Sequence, residues 1–260
     1  MKLNKLADKF KIDWTNFLII EDCRFYNDQS VFDISSKDFL TFAKGDYYCS
    51  NKQGLINALS NAKRAIDCQV DWIITYLGYD YLKFNGENYP NINNIIGEFE
   101  SQNETFKDIP YKLKFVQSME IAPAFLVSKI RSLRNKLEHE YAIPKKQDVK
   151  EAVEIAELFI NATENIVRSN ICSSFQFGSN FDNETLEFND TNYYIDFDIT
   201  EHKNINIRIF NSEEKISETI IPTDEEYVFF IKAMVSHEFR YLAKAFGKTI
   251  DNKHIKYIVG

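Results

Sequence analysis

The sequence predicts a mainly α fold, a four-helix bundle with an appended C-terminal α+β module, and three observations carry that expectation. Only 8 Gly and 5 Pro interrupt 260 residues, which leaves room for long regular elements. Through residues 51–170 apolar side chains recur every three to four positions, the spacing of helices with one buried face. Beyond residue 171 the period falls to two, as it does in strands that bury one side.

Residues 1–50 read as an N-terminal extension of short elements. Leu3, Leu6 and Phe10 suggest a turn or two of helix, residues 14–20 form an apolar segment, and Ser36 caps a short helix through Phe39, Leu40 and Ala43 that ends at Gly45. The aromatic content of this extension is expected to pack it onto the rest of the chain.

The next stretch opens with Ser50-Asn51-Lys52-Gln53, which has the spacing of a capping box. Leu55, Leu59, Ala62, Ile66, Val70, Ile73 and Leu77 then form one stripe of a long helix stopping at Gly78. Residues 91–102 make a further helix, and Pro110 opens another element. Phe115, Met119, Ala122, Leu126, Ile130, Leu133 and Leu137 extend a second long stripe, with Pro123 a kink or restart and Pro144 its end. A last helix over residues 146–168 turns Val149, Val153, Ala156, Phe159 and Ile160 inward. Residues 51–170 therefore bury their stripes against each other as a bundle.

Residues 171–260 form the α+β module. Residues 186–188, Ile195/Phe197/Ile199, Ile205/Ile207/Ile209 and residues 216–221 alternate as the strands of an antiparallel meander. Thr223-Asp224-Glu225-Glu226 is a second capping box, opening a helix that places Tyr227, Phe230, Met234, Tyr241 and Ala245 over the buried face. A short tail follows Gly247. With no internal repeat and no low-complexity linker, the parts are expected to pack together.

Cys23, Cys49, Cys68 and Cys172 are scattered without a CxxC pair, the usage of reduced thiols rather than of a disulfide framework or zinc site. No apolar run reaches the length of a membrane span and residues 1–10 lack the apolar core of a signal peptide, so a soluble, cytoplasmic protein is expected. The net charge of −8 argues against a general nucleic-acid coat, but the average hides an asymmetry. Residues 111–150 hold nine basic and four acidic residues, net +5, whereas residues 171–226 hold three basic and thirteen acidic ones, net −10. One side of the molecule suits RNA and the other repels it.

The basic segment contains Arg134-Asn135-Lys136-Leu137-Glu138-His139-Glu140-Tyr141. A permanently charged guanidinium, an amide and an imidazole that titrates near neutrality are the groups that cleavage of a phosphodiester by its own 2′-hydroxyl requires. In that chemistry His139 moves a proton at the 2′-hydroxyl or the 5′-oxygen leaving group, Arg134 binds the scissile phosphate and its developing charge, and Asn135 orients either. No metal or cofactor is needed, because the nucleophile belongs to the substrate, and the product carries a 2′,3′-cyclic phosphate. Lys129, Arg131, Lys136, Lys145 and Lys146 are candidate contacts to the RNA backbone. On an α-helix Asn135 and His139 share a face, while Arg134 lies roughly 140° from His139. One helix therefore does not aim both at one phosphate unless it ends near His139 or a second chain supplies the missing group. The plainer readings are an exposed Arg134–Glu138 ion pair and a histidine favoured by the helix C-terminal dipole.

The block resembles the Arg-x4-His signature of HEPN-domain ribonucleases, with the polar Asn135 directly after the arginine and a helix after the motif. The resemblance covers about residues 51–169. It implies a homodimer in which Arg134 and His139 of both copies form one composite site, an endoribonuclease activity, and a role in toxin-antitoxin pairs, antiviral defence or stress-induced RNA degradation. An antitoxin or regulatory protein would then be a partner. Tyr141 matches a tyrosine that some toxins of the family have adenylylated by a partner nucleotidyltransferase; as plain chemistry it is a packing residue. The alternative is a non-catalytic HEPN-type protein that binds RNA or a nucleotide, or an interaction protein whose acidic meander docks a partner.

Elsewhere the chemistry is sparse. His237-Glu238 lacks the second histidine of HExxH, since position 241 is Tyr, and reads as a hydrogen-bonded helix histidine. His202 and His254 fall in a turn and the tail, and Asp196 and Asp198 alternate on one strand without a third metal ligand nearby.

Overall fold

The computed structural model describes residues 2–10, 13–15, 17–22, 32–49, 51–102, 109–122, 126, 129, 132, 143–179, 181–182, 184–185, 187–188, 192–198, 203–210 and 215–259. Among them are eight α-helices and eight strands, an α-rich fold with a β module. None of the described helices is long and apolar enough to cross a membrane.

The helical layer consists of α2 (Ser36–Cys49), α3 (Lys52–Tyr76), α4 (Ile92–Gln102), α5 (Tyr111–Ser118) and α6 (Lys146–Asn170). The cap of α3 is Asn51 rather than Ser50: its Oδ1 accepts from the Gly54 amide at 2.7 Å. Helix α2 does not end at Gly45 but runs on to Cys49. A glycine inside a helix costs only about 1 kcal/mol, and α2 recovers more by packing along α3 and α6. A buried polar chain fixes the three helices in register. The Ser36 hydroxyl donates to Gln69 Oε1 at 2.7 Å, and Gln69 Nε2 donates to Thr163 Oγ1 at 3.1 Å. Thr163 in turn donates to the carbonyl of Phe159 at 2.8 Å, so each member is satisfied.

The long stripe through Phe115 and Leu137 is not one helix. Helix α5 stops at Ser118 and Glu120 is left-handed, with φ 63°. Helical positions resume at Leu126, Lys129 and Ser132. The break precedes Pro123, which lies outside the described residues, as do Ile130, Leu133 and Leu137.

The sheet has six strands: β1 (Phe17–Asp22), β2 (Ser174–Gly178), β5 (Asn192–Asp198), β6 (Asn204–Phe210), β7 (Lys215–Ile220) and β8 (Ile255–Val259). Its order is β7-β6-β5-β2-β1-β8, antiparallel throughout except for the parallel pair β1–β8. The expected meander is present as β5–β6–β7, with Ile205, Ile207 and Ile209 fully buried along β6. Its expected first strand is not part of it: β4 (Glu187–Phe188) pairs with β3 (Phe181–Asp182) as a separate hairpin, and β5 pairs with β2. Residues 1–50 are divided between the two layers. Helix α1 (Lys2–Phe10) and β1 belong to the sheet side, where Trp14 lies 5.4 Å from the Phe246 ring, and α2 belongs to the helical layer. The tail expected after Gly247 supplies the edge strand β8.

Between the layers lies α7 (Tyr227–Ser236), buried on every side by Tyr227, Val228, Phe230, Ile231, Ala233, Met234 and Val235. The expected capping box does not form: Glu226 rather than Thr223 stands at the N-cap and makes no side-chain cap bond, while Asp224 Oδ2 accepts from the Ile221 amide at 2.9 Å. The helix does not continue to Ala245. His237 takes a left-handed conformation at φ 56° and turns the chain into α8 (Arg240–Ala245). Phe230 of α7 and Phe177 of β2 both meet Phe246, so a single hydrophobic core runs from the helical layer into the sheet.

Candidate functional site

Arg134, Asn135, His139 and Tyr141 lie outside the described residues, as do Arg131 and Lys136. The flanks of that segment are described. It follows the turn at Glu120 and Leu126, which is buried, and it leads through Ile143 and Pro144 into α6.

Three of the expected RNA contacts stand at the N-terminal end of α6. Lys145 is its N-cap residue and is exposed, and Lys146 is the first residue of the helix. Lys129 reaches the same end, with its ammonium 2.9 Å from Glu151 Oε1. Both partners are well exposed, so this pair contributes at most about 1 kcal/mol and leaves the lysine within reach of solvent. No described side chain caps α6, and Asp148 in its first turn offsets part of the positive end of its dipole. The ammonium of Lys146 lies 5.4 Å from the ring centre of Tyr47, at the C-terminal end of α2. The ion pairs Lys37–Glu164 and Lys44–Glu157 run α2 antiparallel to α6, which explains why the end of one meets the start of the other.

The acidic residues of the module are described only in part: Asp196 and Asp198 sit on β5 but their side chains lie outside the described residues, as do Glu201, Glu213 and Glu214. His202 also lies outside them. His254 Nδ1 is 2.8 Å from the carbonyl of Thr15 and has a structural role, joining the tail to the start of β1.

One pairing has no local signal in the sequence. Nδ1 of His237 lies 2.9 Å from Oε1 of Glu21, whose side chain is almost fully buried on β1. The imidazole is about one-third exposed, and the contact is a close approach of the two groups without hydrogen-bond geometry at Oε1. The pair ties β1 to the corner between α7 and α8. A second charged cluster joins α4 to α8: Lys244 Nζ is 2.6 Å from Glu98 Oε2, and Arg240 bonds Glu238 at 2.7 Å. Burial works to raise the Glu98 carboxyl, but the bonds from Lys244 and the charges of Lys244 and Arg240 outweigh it and hold it below its ordinary value.

No protein-family model, curated protein or solved structure matches this chain. The functional reading therefore rests on its own residues.

Proposed function

We propose that this chain is a metal-independent endoribonuclease of the HEPN type, cutting RNA by attack of the substrate's own 2′-hydroxyl. The observation that carries the reading is the block Arg134-Asn135-x3-His139 inside the basic segment 111–150. Two further facts support it. In sequence the block stands between α5 and α6, where the resemblance to HEPN domains leads one to expect it, and Lys145 and Lys146 begin α6 with Lys129 paired to Glu151 in its second turn.

In this mechanism His139 transfers a proton to or from the reacting oxygens, a contribution of about 10²- to 10⁴-fold in rate. Arg134 holds the phosphate and stabilises the charge that grows on it in the transition state. Asn135 orients the phosphate or its partners. A homodimer places one Arg134 and one His139 on the same phosphate, which the roughly 140° separation within a helix otherwise makes difficult. The resemblance suggests a toxin or antiviral-defence effector held in check by an antitoxin or regulatory protein.

The test is incubation of the purified protein with structured and unstructured RNA, and with DNA, in EDTA. The wild type should cut RNA only, Arg134→Ala and His139→Ala should each abolish cleavage, and Asn135→Ala should weaken it less. Cleavage that requires Mg²⁺, or that survives both substitutions, overturns the assignment. Mixing the two inactive variants should restore part of the activity if the site is composite; a fully active monomer excludes that arrangement.

A further inference from the structure

The C-terminal end of α2 carries an aromatic pair that the packing of the fold does not use up. Tyr48 is 81% exposed, the most exposed of the large apolar side chains among the described residues. Its neighbour Tyr47 is half-buried, and the two rings stand edge to face with centres 5.9 Å apart. One face of Tyr47 is covered by the Lys146 ammonium at 5.4 Å. Tyr48 therefore offers an open ring beside a ring that already holds a cation.

The charges around this pair are arranged for an anion. Lys145 and Lys146 begin α6, and Lys52 begins α3 beside the end of α2, where Gly54 lets α3 come so close to α2 that a Cβ there would lie 2.7 Å from the Asp46 carbonyl oxygen. Of the acidic groups nearby, Glu157 is neutralised by Lys44 at 2.6 Å, whereas Asp46 keeps its charge while accepting from Asn61 Nδ2 at 2.9 Å. Asp148 lies in the first turn of α6, where it complements the helix dipole. In a chain of net charge −8 this corner sets three lysines against the two carboxylates of Asp46 and Asp148, beside an exposed aromatic ring, and it sits where the Arg134–His139 segment rejoins the described fold.

From this juxtaposition we infer that Tyr48, with Lys145 and Lys146, is a binding platform for unpaired RNA nucleotides. A base stacks on the open face of Tyr48 while the lysines contact the flanking phosphates. Single strands are the ligand class that this chemistry selects, because a base held in a duplex does not expose its face to a side chain. Tyr47 acts as the positioning residue: its ring holds the Lys146 ammonium beside the stacking ring. The inference takes RNA as the ligand from the proposed function, but it concerns binding rather than cleavage.

The experiment measures binding of fluorescein-labelled RNA, about twelve nucleotides long and either unstructured or fully paired, to the His139→Ala protein by fluorescence anisotropy. The unpaired RNA should bind more tightly than the duplex. Tyr48→Ala should weaken it about tenfold, and Tyr48→Phe, which keeps the ring, should leave it unchanged. Replacing both Lys145 and Lys146 with Gln should weaken binding and flatten the slope of log affinity against log salt by about 1.4, the value for two lost phosphate contacts on a single strand. Because Tyr48 is so exposed, its replacement leaves the fold intact. Equal affinity of the Tyr48→Ala and parent proteins, or preference for the duplex, overturns the platform. Cleavage by the wild type, read in parallel, separates the two claims. Binding that depends on Tyr48 without cleavage refutes the nuclease and keeps the platform, and cleavage with Tyr48-independent binding does the reverse.

Discussion

The phenol of Tyr227 donates to the carbonyl of Leu77 at 2.9 Å, and it does so only because residue 78 has no side chain. Gly78 ends α3 with φ +95°, and a Cβ there would lie 2.0 Å from Tyr227 Oη. The same hydroxyl lies 3.1 Å from the carbonyl of Lys203, in the turn before β6, so one side chain of α7 joins the end of α3 to the sheet. Gly78→Ala should therefore destabilise the protein by about 2–5 kcal/mol, combining the cost of a left-handed backbone with that of overpacking. Tyr227→Phe alone should cost about 1–2 kcal/mol for the lost hydrogen bonds. The double variant should be more stable than the sum of the two, because the worst clash is with the hydroxyl that Phe lacks. Urea denaturation of the four proteins measures the coupling, and strict additivity would refute it.

Cys68 gives a prediction about pH. Burial pushes its thiol up to about 11, and the charges of Asp71 and Asp38 add to the shift. Its Sγ also lies 3.6 Å from the carbonyl of Ile34, to which the protonated thiol donates. A group whose pKa is raised in the folded state contributes stability below its unfolded value and loses it as pH climbs through the folded one, here between 9.0 and about 11. Iodoacetamide at about pH 8 should thus modify the exposed Cys49 well before Cys68, and the Cys68 rate should keep rising to about pH 11. Asp71→Asn should move that rise to lower pH. Mass spectrometry of the alkylated peptides reads both, and equal rates for the two thiols would contradict the account.

The elements legible in the sequence were those whose signal is local. Helix α3 reads from a capping signal that falls one residue early, at Ser50 instead of Asn51, to its stop at Gly78, and β6 reads from the alternation of Ile205, Ile207 and Ile209. What was not legible depends on partners far along the chain. Residues 17–22 become a strand because Phe17 pairs with Ile255 in parallel and Leu18 with Gly178 in antiparallel register, and no pattern near residue 20 encodes either neighbour. The break after Ser118 is hidden for a related reason, since the apolar spacing through Met119 and Ala122 continues as if the helix did. Of the candidate site, the sequence shows the chemical groups of residues 134–141 and the structure shows the helix end to which they lead. The Tyr47–Lys146 contact joins the ends of two helices that only the fold brings together.

The break after Ser118 is held by a residue from the other half of the chain. Lys232, on α7 and almost wholly buried, donates to the carbonyl of Ser118 at 3.0 Å and pairs with the carboxylate of Glu120. The ring of Tyr241 lies 5.8 Å from its ammonium. Glu120 is 48% exposed, so on losing its partner it returns to water at little cost. The Ser118 carbonyl is buried, and leaving it without a donor costs about 1–3 kcal/mol. Lys232→Met, close in volume, should accordingly lower stability by about that amount, and Glu120→Gly should cost more, because it leaves the buried Lys232 ammonium without its carboxylate, a loss that glycine's ease at φ 63° only partly offsets. Both variants release the chain at the point from which it continues toward Arg134 and His139. Amide hydrogen exchange across residues 119–141 should therefore quicken in each, more than in α3 or β6, and any RNA cleavage should fall with it. Exchange that rises uniformly over the whole chain, or not at all, would show that α7 does not position this segment.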